Sequence, residues 1–429
     1  MRLGGRLTAA IEVLDDMERR HRPVAEALKD WGLSHRFAGA GDRAAIGNIV
    51  YDALRRRRSG EWLFGAETAR ARAFSAVLRE GGWTPEGLNA ELTGDRFAPE
   101  LLSAEEIGHF NNSVIDAAPP AVAADCPEWC VPLFERAFGA KWPEECAALA
   151  TRPPLDLRVN TLKSDRDKVL AALSSSGVER TAIAANGIRI PPIKGDGRHP
   201  NVQVEPAFQK GWFEVQDEGS QIVAALAASR GPAQILDYCA GAGGKTLALS
   251  AALENHGQIF AYDADKARLA PIFDRLKRAG SRNVQIVTAA DALDTHEGAM
   301  DLVLVDAPCT GSGTWRRRPD AKWRLTDRQL DLRRKEQSDI LDRAARFVKP
   351  GGMLAYITCS LFREENSDQA EAFRAANPSF RPIDHTALWN AVFPASEDKV
   401  RIDPKAGIVL TPLRTATDGF FFAALERTG

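Results

Sequence analysis

The sequence predicts an α/β chain whose largest part is a doubly wound, mainly parallel sheet, preceded by an all-helical domain and a small α+β linking subdomain. Apolar residues recur at helical spacing through the first ~145 residues, short strand-like runs begin near residue 155, and strands then alternate strictly with helices. A chain of 429 residues has room for more than one domain. The predicted domains are 1–145, 146–205 and 206–429.

The amino-terminal domain is predicted to be helical because its apolar residues follow the period of a helix. Leu7, Ile11 and Leu14 recur at that spacing, and Asp42 is predicted to cap a further helix. The prolines Pro119 and Pro120 indicate a linker to the following subdomain.

The rest of the chain is predicted from short apolar runs. LDLRVNT and DRDKVLAALSSSGV predict a strand and a helix of the linking subdomain. The parallel-strand candidates, each followed by a helical stretch, are QILDY, QIFAYD, VQIVTA, DLVLVD and MLAYIT, and a hairpin-like pair follows in IVLTP and FFFAALE. Because doubly wound sheets bind ligands at the carboxyl ends of their strands, a functional site is expected there.

The composition excludes several classes of protein. Hydrophobic residues make up 44% of the chain and charged residues 27%, and no stretch approaches the ~20 uninterrupted apolar residues of a membrane helix. The start of the sequence lacks the apolar core of a secretion signal, so a cytoplasmic location is expected. Since the net charge is -2, any surface that binds nucleic acid must be local.

The six cysteines are too few for a disulfide scaffold in a chain of this length. Cys126 and Cys130 are spaced as the start of a zinc site would be, but no second pair or histidine cluster completes four ligands. We therefore expect no bound metal.

A glycine-rich turn follows the first parallel strand directly. It reads Cys239-Ala240-Gly241-Ala242-Gly243-Gly244-Lys245 and leads into a helix, so its backbone can approach a ligand closely. Gly244-Lys245-Thr246 matches the end of a phosphate-binding loop. Position 239 is cysteine where that loop needs its first glycine, which disfavours an NTPase.

Acidic residues stand at the ends of four successive strands: Asp237, Asp263, Asp291 and Asp306. Asp263 lies 19 residues after Gly244, where an acid receives the ribose hydroxyls of a bound nucleoside. A single such acid can equally cap the next helix. Four together favour a nucleoside pocket, which a dinucleotide and S-adenosylmethionine would both fit.

Two cysteines are predicted to share the same edge of the sheet. Cys309 follows the fourth strand in DAPCTGSG, and Cys359 follows the fifth in TCS. A lone cysteine is usually a small buried apolar residue, whereas turns at strand ends display binding groups. The residues alone do not decide which thiol would have which role.

The segments DAPCTGSG, TWRRRPDAKWR, YITCSLFREEN and TDGFFFAAL together resemble the RsmB/Sun-type RNA cytosine-5 methyltransferases over about residues 150–429. RVNTLK and VQDEGSQ resemble further segments of that family, and the helical domain is similar in length and placement to its NusB-like RNA-binding domain. The resemblance implies a Rossmann-like methyltransferase domain that uses S-adenosylmethionine. Ala242 stands where the family commonly has proline, which could change cofactor affinity.

The resemblance also implies roles for individual residues. Cys359 would attack carbon 6 of cytosine, Cys309 would assist product release, and Asp306 would contact the pyrimidine and the methionine end of the cofactor. Lys245 could contact these acids or lie in solvent. The implied cofactor-binding residues are Cys239, Ala240, Gly241, Ala242, Gly243, Gly244, Lys245, Asp263 at the ribose, Asp291 at the adenine amino group, and Asp306.

RNA is the expected partner of a monomeric protein that binds no membrane. The target base must leave its stack, and a basic run with an aromatic residue beyond Cys309 is predicted to grip the RNA. That run contains Arg316, Arg317, Arg318, Lys322, Trp323 and Arg324. For the shorter run Arg55–Arg58, which ends a helix, RNA contact and a solvated helix end stay equally open.

The expected product is 5-methylcytosine in RNA, with 16S ribosomal RNA first among the substrates. Transfer RNA and a catalytically silent, RNA-binding role in ribosome assembly are the alternatives. A DNA cytosine methyltransferase is disfavoured, because its attacking cysteine would lie in the PC motif and the TCS motif would then have no role.

Overall fold

The structure is a computed structural model that describes residues 1–195, 197–394 and 396–429. Its contacts divide the chain into two compact units. The helical unit comprises Met1–Pro153, Pro192–His199 and Trp315–Leu325, and the sheet unit comprises Pro154–Pro191, Pro200–Thr314 and Thr326–Gly429.

The secondary structure follows in chain order. The strands are β1 (Leu155–Val159), β2 (Glu179–Arg180), β3 (Gly187–Ile190), β4 (Phe213–Val215), β5 (Gln234–Asp237), β6 (Gln258–Tyr262), β7 (Val284–Val287), β8 (Met300–Asp306), β9 (Val348–Thr358), β10 (Phe380–Pro382), β11 (Arg401–Asp403), β12 (Gly407–Leu410) and β13 (Phe420–Arg427). The helices are α1 (Leu3–Arg20), α2 (Val24–Ser34), α3 (Ala40–Arg55), α4 (Arg57–Phe64), α5 (Ala69–Gly81), α6 (Pro85–Leu92), α7 (Ala104–Asn112), α8 (Pro120–Ala123), α9 (Val131–Phe138), α10 (Trp142–Ala148), α11 (Arg166–Ala172), α12 (Pro206–Gln209), α13 (Glu218–Ala228), α14 (Gly244–Ala252), α15 (Lys266–Leu269), α16 (Ile272–Ala279), α17 (Pro319–Arg324), α18 (Asp327–Ala345), α19 (Ser367–Ala376), α20 (His385–Val392) and α21 (Pro412–Thr415).

The helical unit buries the residues that the helical period selects. Leu7 and Leu14 on α1, Val50 on α3 and Phe74 on α5 are fully buried in one core. The side chain of Thr68 caps α5 by accepting a hydrogen bond from the N–H of Ala71, which satisfies one of the free donors at the helix start. The prediction of an all-helical amino-terminal region is confirmed.

The predicted cap at Asp42 is wrong. The α3 helix begins at Ala40 with Gly39 at its N-cap, so Asp42 lies inside the first turn. The Asp42 carboxylate instead accepts hydrogen bonds from the Arg6 guanidinium and from the amino group of Met1, at 3.0 Å in each case. A carboxylate in the first turn also interacts favourably with the helix dipole.

The linking region forms a four-stranded antiparallel sheet in the order β2-β3-β1-β4. Leu157, Ile188 and Phe213 are fully buried between this sheet and its helices. The fourth strand, Phe213–Val215, lies beyond residue 205, where the predicted subdomain ended. The extent of this region could not be read from sequence because β4 pairs with β1 across more than fifty residues of chain.

The sheet unit contains a nine-stranded sheet, counted over the described part of the chain. Its order is β11-β12-β13-β9-β8-β5-β6-β7, with β10 paired to β13. Strands β5 to β9 run parallel, and β13 joins β9 and β12 in antiparallel pairing, as the predicted hairpin-like pair requires. The predicted doubly wound α/β fold is confirmed, except that β7 is followed by a 3₁₀ turn (Asp291–His296) and not by an α-helix.

Both faces of this sheet are covered, which explains its continuous apolar strands. Along β8, Val303 and Val305 pack into one core cluster, while Leu302 and Leu304 pack into the other. Successive side chains of a strand point to opposite faces, so a strand buried on both sides must be apolar at every position.

The strand order reverses direction between β5 and β8, which are hydrogen-bonded neighbours. Helices after these two strands leave toward opposite faces, and the crevice between them lies at the carboxyl ends of the strands. Asp237 and Asp306 end the two strands, so the order of the sheet brings the acidic residues together. In the described residues, no helix has both the length and the apolar character needed to cross a membrane.

Candidate active site

The glycine-rich turn after β5 has a backbone that other residues could not adopt easily. Gly241 and Gly243 have φ angles of 50° and 81°. A Cβ atom at Gly243 would lie 2.5 Å from Cγ1 of Ile272. The N–H of Ala240 donates to the carbonyl of Tyr262 at 2.9 Å, so the turn is joined to the end of β6. The turn is thus a close-packed wall of the crevice.

Ala242, the residue at the family's proline position, is held from outside the turn. Its carbonyl oxygen accepts a hydrogen bond of 2.7 Å from Nη1 of Arg275, and Glu214 binds the same guanidinium through Nη2 at 3.0 Å. Sequence reasoning missed both Arg275 and Glu214, because an ion pair between segments distant in sequence has no local signal. The pair restrains the turn where a proline ring is absent.

Two of the strand-end acids are tied to this turn. Oδ2 of Asp263 accepts the N–H of Gly241 at 2.8 Å. Oδ2 of Asp237 accepts the Thr246 hydroxyl at 2.6 Å, while its buried Oδ1 has no hydrogen-bond partner among the described residues. Burial raises the pKa of Asp237 to about 7. Asp291 is exposed at the start of its 3₁₀ turn.

Lys245 contacts the acid at the end of the neighbouring strand. Its Nζ lies 2.6 Å from Oδ2 of Asp306 and 5.4 Å from the centre of the Phe420 ring. Lys245 is 7% exposed, so it is not a solvated lysine at a helix start. Of the two interpretations left open by the sequence, the structure shows the contact with the acid.

The two cysteines of the PC and TCS motifs are adjacent. Strands β8 and β9 are parallel neighbours, and Sγ of Cys309 lies 3.4 Å from Sγ of Cys359. Both residues are half-buried. The hydrogen bond with the Cys359 thiol, together with burial, raises the pKa of Cys309.

Residues that follow β9 hold Cys359 from both sides. The Asn366 side chain accepts a hydrogen bond from the Thr358 hydroxyl through Oδ1 and donates to the Ser360 carbonyl through Nδ2 at 2.9 Å. The Ser360 and Ser312 hydroxyl oxygens lie 3.0 Å apart. The backbone around Cys359 is therefore fixed by buried hydrogen bonds.

A second group holds the turn that carries Cys309. The Glu365 carboxylate accepts hydrogen bonds from the N–H of Thr310 at 2.8 Å and from the Thr310 hydroxyl. Nε2 of Gln337 donates to the Pro308 carbonyl at 2.9 Å and to Glu365 at 3.0 Å. Sequence reasoning missed Glu365 and Asn366, although both stand in the quoted run YITCSLFREEN. Gln337, within the long helix α18, gave no signal.

The motif TDGFFFAAL packs against the turn of Cys309. The N–H of Gly419 donates to the Gly313 carbonyl at 2.8 Å, and a Cβ atom at Gly313 would lie 2.3 Å from the Gly419 oxygen. Only glycine allows this approach. Two segments about a hundred residues apart are thereby joined beside the thiols.

The basic run beyond Cys309 belongs to the helical unit, and its predicted RNA contacts need correction. Lys322 is 1% exposed, and its Nζ donates to the carbonyls of Arg55 at 3.2 Å and Asp125 at 2.8 Å. Nε1 of Trp323 donates to the Leu54 carbonyl at 2.7 Å. A lysine buried on backbone carbonyls cannot bind phosphate, so Lys322 is a packing residue.

The arginines of this run differ in exposure. Arg316 is buried, and its carbonyl accepts a hydrogen bond from Arg55, which is itself buried and paired with Asp52 at 2.7 Å. Arg317 is half-buried, whereas Arg318 and Arg324 are exposed. Burial therefore contradicts RNA contact for the side chains of Arg316 and Arg55.

The cysteines outside the sheet unit are buried in the helical unit, near Lys322. Burial raises the pKa of Cys130 and of Cys146, as expected for inert thiols in an apolar core. In the part of the chain that the structure describes, no group of three or more histidine, cysteine or acidic side chains is arranged to hold a metal ion.

Two family models match the sequence. The model described as 16S rRNA methyltransferase RsmB/F matches residues 223–426, which contain the whole crevice. The model of the ferredoxin-like domain of RsmF/B-like methyltransferases matches residues 126–192.

Curated relatives and a solved structure are similar to the chain. It is 34% identical to ribosomal RNA small subunit methyltransferase B of Enterobacter sp. (strain 638), over 70% of this chain and 66% of the relative, so it spans about two thirds of that relative. It is 33% identical to the protein of the same name from Sodalis glossinidius (strain morsitans), over 90% of this chain and 89% of the relative. A methyltransferase homologue protein from Pyrococcus horikoshii has 25% identity and a TM-score of 0.58, over 72% of this chain and 97% of that chain.

Proposed function

Because this chain belongs to the RsmB/F family of 16S rRNA methyltransferases, we propose that it methylates carbon 5 of a cytosine in 16S ribosomal RNA, with S-adenosylmethionine as the donor. One observation supports the cytosine chemistry most directly. Two thiols lie 3.4 Å apart at the carboxyl ends of adjacent parallel strands, beside a glycine-rich turn and a set of acids.

The crevice fits a nucleoside cofactor with a charged amino acid end. The turn from Cys239 to Lys245 lets a ligand approach its backbone, and Asp263 is placed to receive ribose hydroxyls. The buried, unpaired Oδ1 of Asp237 is an acceptor suited to the ammonium of the methionine part. Asp291, exposed after β7, is proposed to receive the adenine amino group. When bound, S-adenosylmethionine supplies an electrophilic methyl group.

Cysteine chemistry makes carbon 5 reactive. The Cys359 sulfur adds to carbon 6 of cytosine, and the ring electrons displaced toward carbon 5 make that atom a nucleophile for the methyl group. The proton on carbon 5 then leaves, the bond between carbon 6 and sulfur breaks, and its electron pair returns to the Cys359 sulfur. Cys309, next to this sulfur, assists the release as the base or through one.

Asp306 is proposed to stabilise the protonated ring nitrogen 3 while the adduct forms. Lys245 holds the Asp306 carboxylate through the ion pair of 2.6 Å and thereby orients it. The pair lies at the end of β8, three residues before Cys309, so the same turn carries the acid and a thiol.

The RNA has to present an unpaired base, because the thiols cannot reach a base within a stacked helix. Arg317, Arg318 and Arg324 are the residues of the basic run that we retain as phosphate contacts. We further propose that the helical unit is a NusB-like module that binds RNA. Its helical architecture is compatible with that role.

Incubation with labelled S-adenosylmethionine and total RNA tests the function. We expect label in 5-methylcytosine of 16S ribosomal RNA, none with Cys359→Ser, and a detergent-resistant protein–RNA complex with Cys309→Ser. Cys146→Ala, which removes a buried thiol of the helical unit, should retain transfer. Label in transfer RNA would change the substrate class, and binding without transfer would support an assembly factor. Undiminished transfer by Cys359→Ser would exclude the mechanism.

A further inference from the structure

One polar cluster, formed by Gln337 and Glu365, is hydrogen-bonded to the turn that carries Cys309 on both sides of the thiol. Gln337 binds the carbonyl of Pro308, the residue before Cys309, at 2.9 Å. Glu365 binds the N–H of Thr310, the residue after it, at 2.8 Å. Because Gln337 and Glu365 are also hydrogen-bonded to each other, at 3.0 Å, the cluster acts as one clamp on the turn.

The partners of Glu365 suit a carboxylate. Glu365 is fully buried, and its oxygens receive the Thr310 N–H, the Thr310 hydroxyl and the Gln337 amide. Burial raises the pKa of Glu365, while hydrogen bonds from Ser360, Thr310 and Gln337 act in the opposite direction. An ionised carboxyl accepts only, so three donors fit the charged form.

We propose that Glu365 is a positioning residue that fixes Cys309 beside Cys359 and, through its negative charge, keeps Cys309 the neutral thiol of the pair until Cys359 has bonded to cytosine. Cys359 is then the thiol of the pair that acts as the nucleophile. This role rests on the proposed function. It supplies a physical reason why Cys359 is the nucleophile and Cys309 is not, which the two motifs alone do not give.

The electrostatics around Cys309 agree with this assignment. The hydrogen bond with Cys359 is the largest cause that raises the pKa of Cys309, followed by burial, the charge of Cys359 and the charge of Glu365. Tyr356 in β9 also interacts with Cys309, and burial raises the pKa of Tyr356, while the Lys245–Asp306 ion pair lies three residues before Cys309 on the same turn. Besides Cys359, Glu365 is a charged group that raises the pKa of Cys309.

Alkylation of the two thiols by iodoacetamide, resolved by peptide mass spectrometry, tests this role in the full chain without RNA or methyl donor. In the unmodified protein at about pH 7, we expect Cys359 to react faster than Cys309. Glu365→Gln keeps the shape of the side chain and removes its charge. We expect it to raise the ratio of Cys309 to Cys359 alkylation by about two-fold or more, because the negative charge that opposes ionisation of Cys309 is gone. An unchanged ratio would overturn the role of Glu365.

Two controls separate charge from structure. Gln337→Met removes one hydrogen bond to Glu365 and one to the Pro308 carbonyl but leaves the negative charge of Glu365 in place, so its ratio should rise less than that of Glu365→Gln. Glu365→Asp retains the charge, and its ratio should stay close to that of the unmodified protein. A rise in either control as large as that of Glu365→Gln would show that loosening of the turn, and not the charge, exposes Cys309.

A fallback variant keeps the test decisive if Glu365→Gln does not fold. Thr310→Val removes only the hydroxyl that stabilises the carboxylate, and we expect the ratio to rise in the same direction. No rise would overturn the role. Because alkylation needs neither RNA nor methyl transfer, its outcome does not depend on whether the proposed function is correct.

Discussion

The Lys245 ammonium lies 2.6 Å from the Asp306 carboxylate, and the pair joins the first turn of α14 to the end of β8. Phe420 lies against the same ammonium, with its ring centre 5.4 Å away. One cation therefore connects the glycine-rich turn, the acid before the PC motif and the start of β13. The position of Asp306 depends on all three segments.

Replacing Asp306 by asparagine should lower kcat for methyl transfer by about a hundred-fold or more, as for loss of a group that assists proton transfer. Lys245→Met should also be defective, and the double variant should be no slower than Asp306→Asn because the two residues act as a pair. Single-turnover methylation measures all three.

The matched control for this pair is Asp301→Asn. Asp301 also lies on β8 and is paired with a lysine, Lys349, but it stands near the opposite end of the strand. Its loss should leave kcat within about two-fold of the original value, by the usual effect of a surface pair. If Asp301→Asn lowered kcat as much as Asp306→Asn does, the effect of Asp306→Asn would have to come from disturbed folding of β8 and not from a role in catalysis.

The stability of the sheet unit should depend on Asp237 between about pH 4 and about pH 7. The pKa of this carboxyl is 3.8 when exposed and about 7 in the folded protein because of burial. In that window the unfolded chain releases the proton while the folded chain keeps it, so the free energy of unfolding falls as pH rises.

Asp237→Asn removes this dependence. Relative to the variant, the original protein should lose up to about 4 kcal/mol of unfolding free energy across the window and stay level above it. Urea unfolding at about pH 4, 6 and 8 measures the difference. Parallel stability curves for the two proteins would contradict a buried, neutral Asp237.

Asn366→Ala should destabilise the protein by about 2 kcal/mol, because the buried Thr358 hydroxyl loses its acceptor and the buried Ser360 carbonyl loses the donor of its side-chain hydrogen bond. Turnover should fall as well, since these two residues flank Cys359. Asn377→Ala, at the other end of α19, removes an asparagine that is only half-buried and should cost less than about 1 kcal/mol. Thermal unfolding compares the two, and equal losses would argue against a special role for Asn366.

Arg318→Ala should weaken RNA binding a few-fold and reduce the slope of log affinity against log salt by about 0.7, the value for one phosphate contact on single-stranded RNA. Lys322→Met should leave both quantities unchanged, because Lys322 is buried on carbonyl groups. Filter binding at several salt concentrations separates the two. A reduced slope for Lys322→Met would show that this lysine does reach phosphate.

Residues at strand ends were found from sequence because their position follows from the fold. Buried apolar runs locate the strands, and parallel strands end at one edge, so Asp263, Asp306, Cys309 and Cys359 had to lie near one another. The separation of the two sulfurs in the structure, 3.4 Å, agrees with that expectation.

Residues that hold the site from a distant part of the chain could not be predicted from the sequence. Gln337 binds the Cys309 turn from α18, and nothing in an amphipathic helix marks one glutamine as buried. The prediction that Lys322 contacts RNA was wrong for the same reason. A run of basic residues looks alike in the sequence whether its side chains face solvent or are buried in the helical unit. These contacts are long-range, and local patterns carry no information about them.

The place of β13 in the sheet has a consequence for synthesis of the protein. Residues 420–427 lie between β9 and β12, and Phe420 at their start packs on Lys245. During translation, β5, β8 and β9 all emerge before this strand exists. A ribosome-bound nascent chain that has exposed both thiols should therefore still lack a finished crevice, and methylation should begin only after residue 427 has left the exit tunnel.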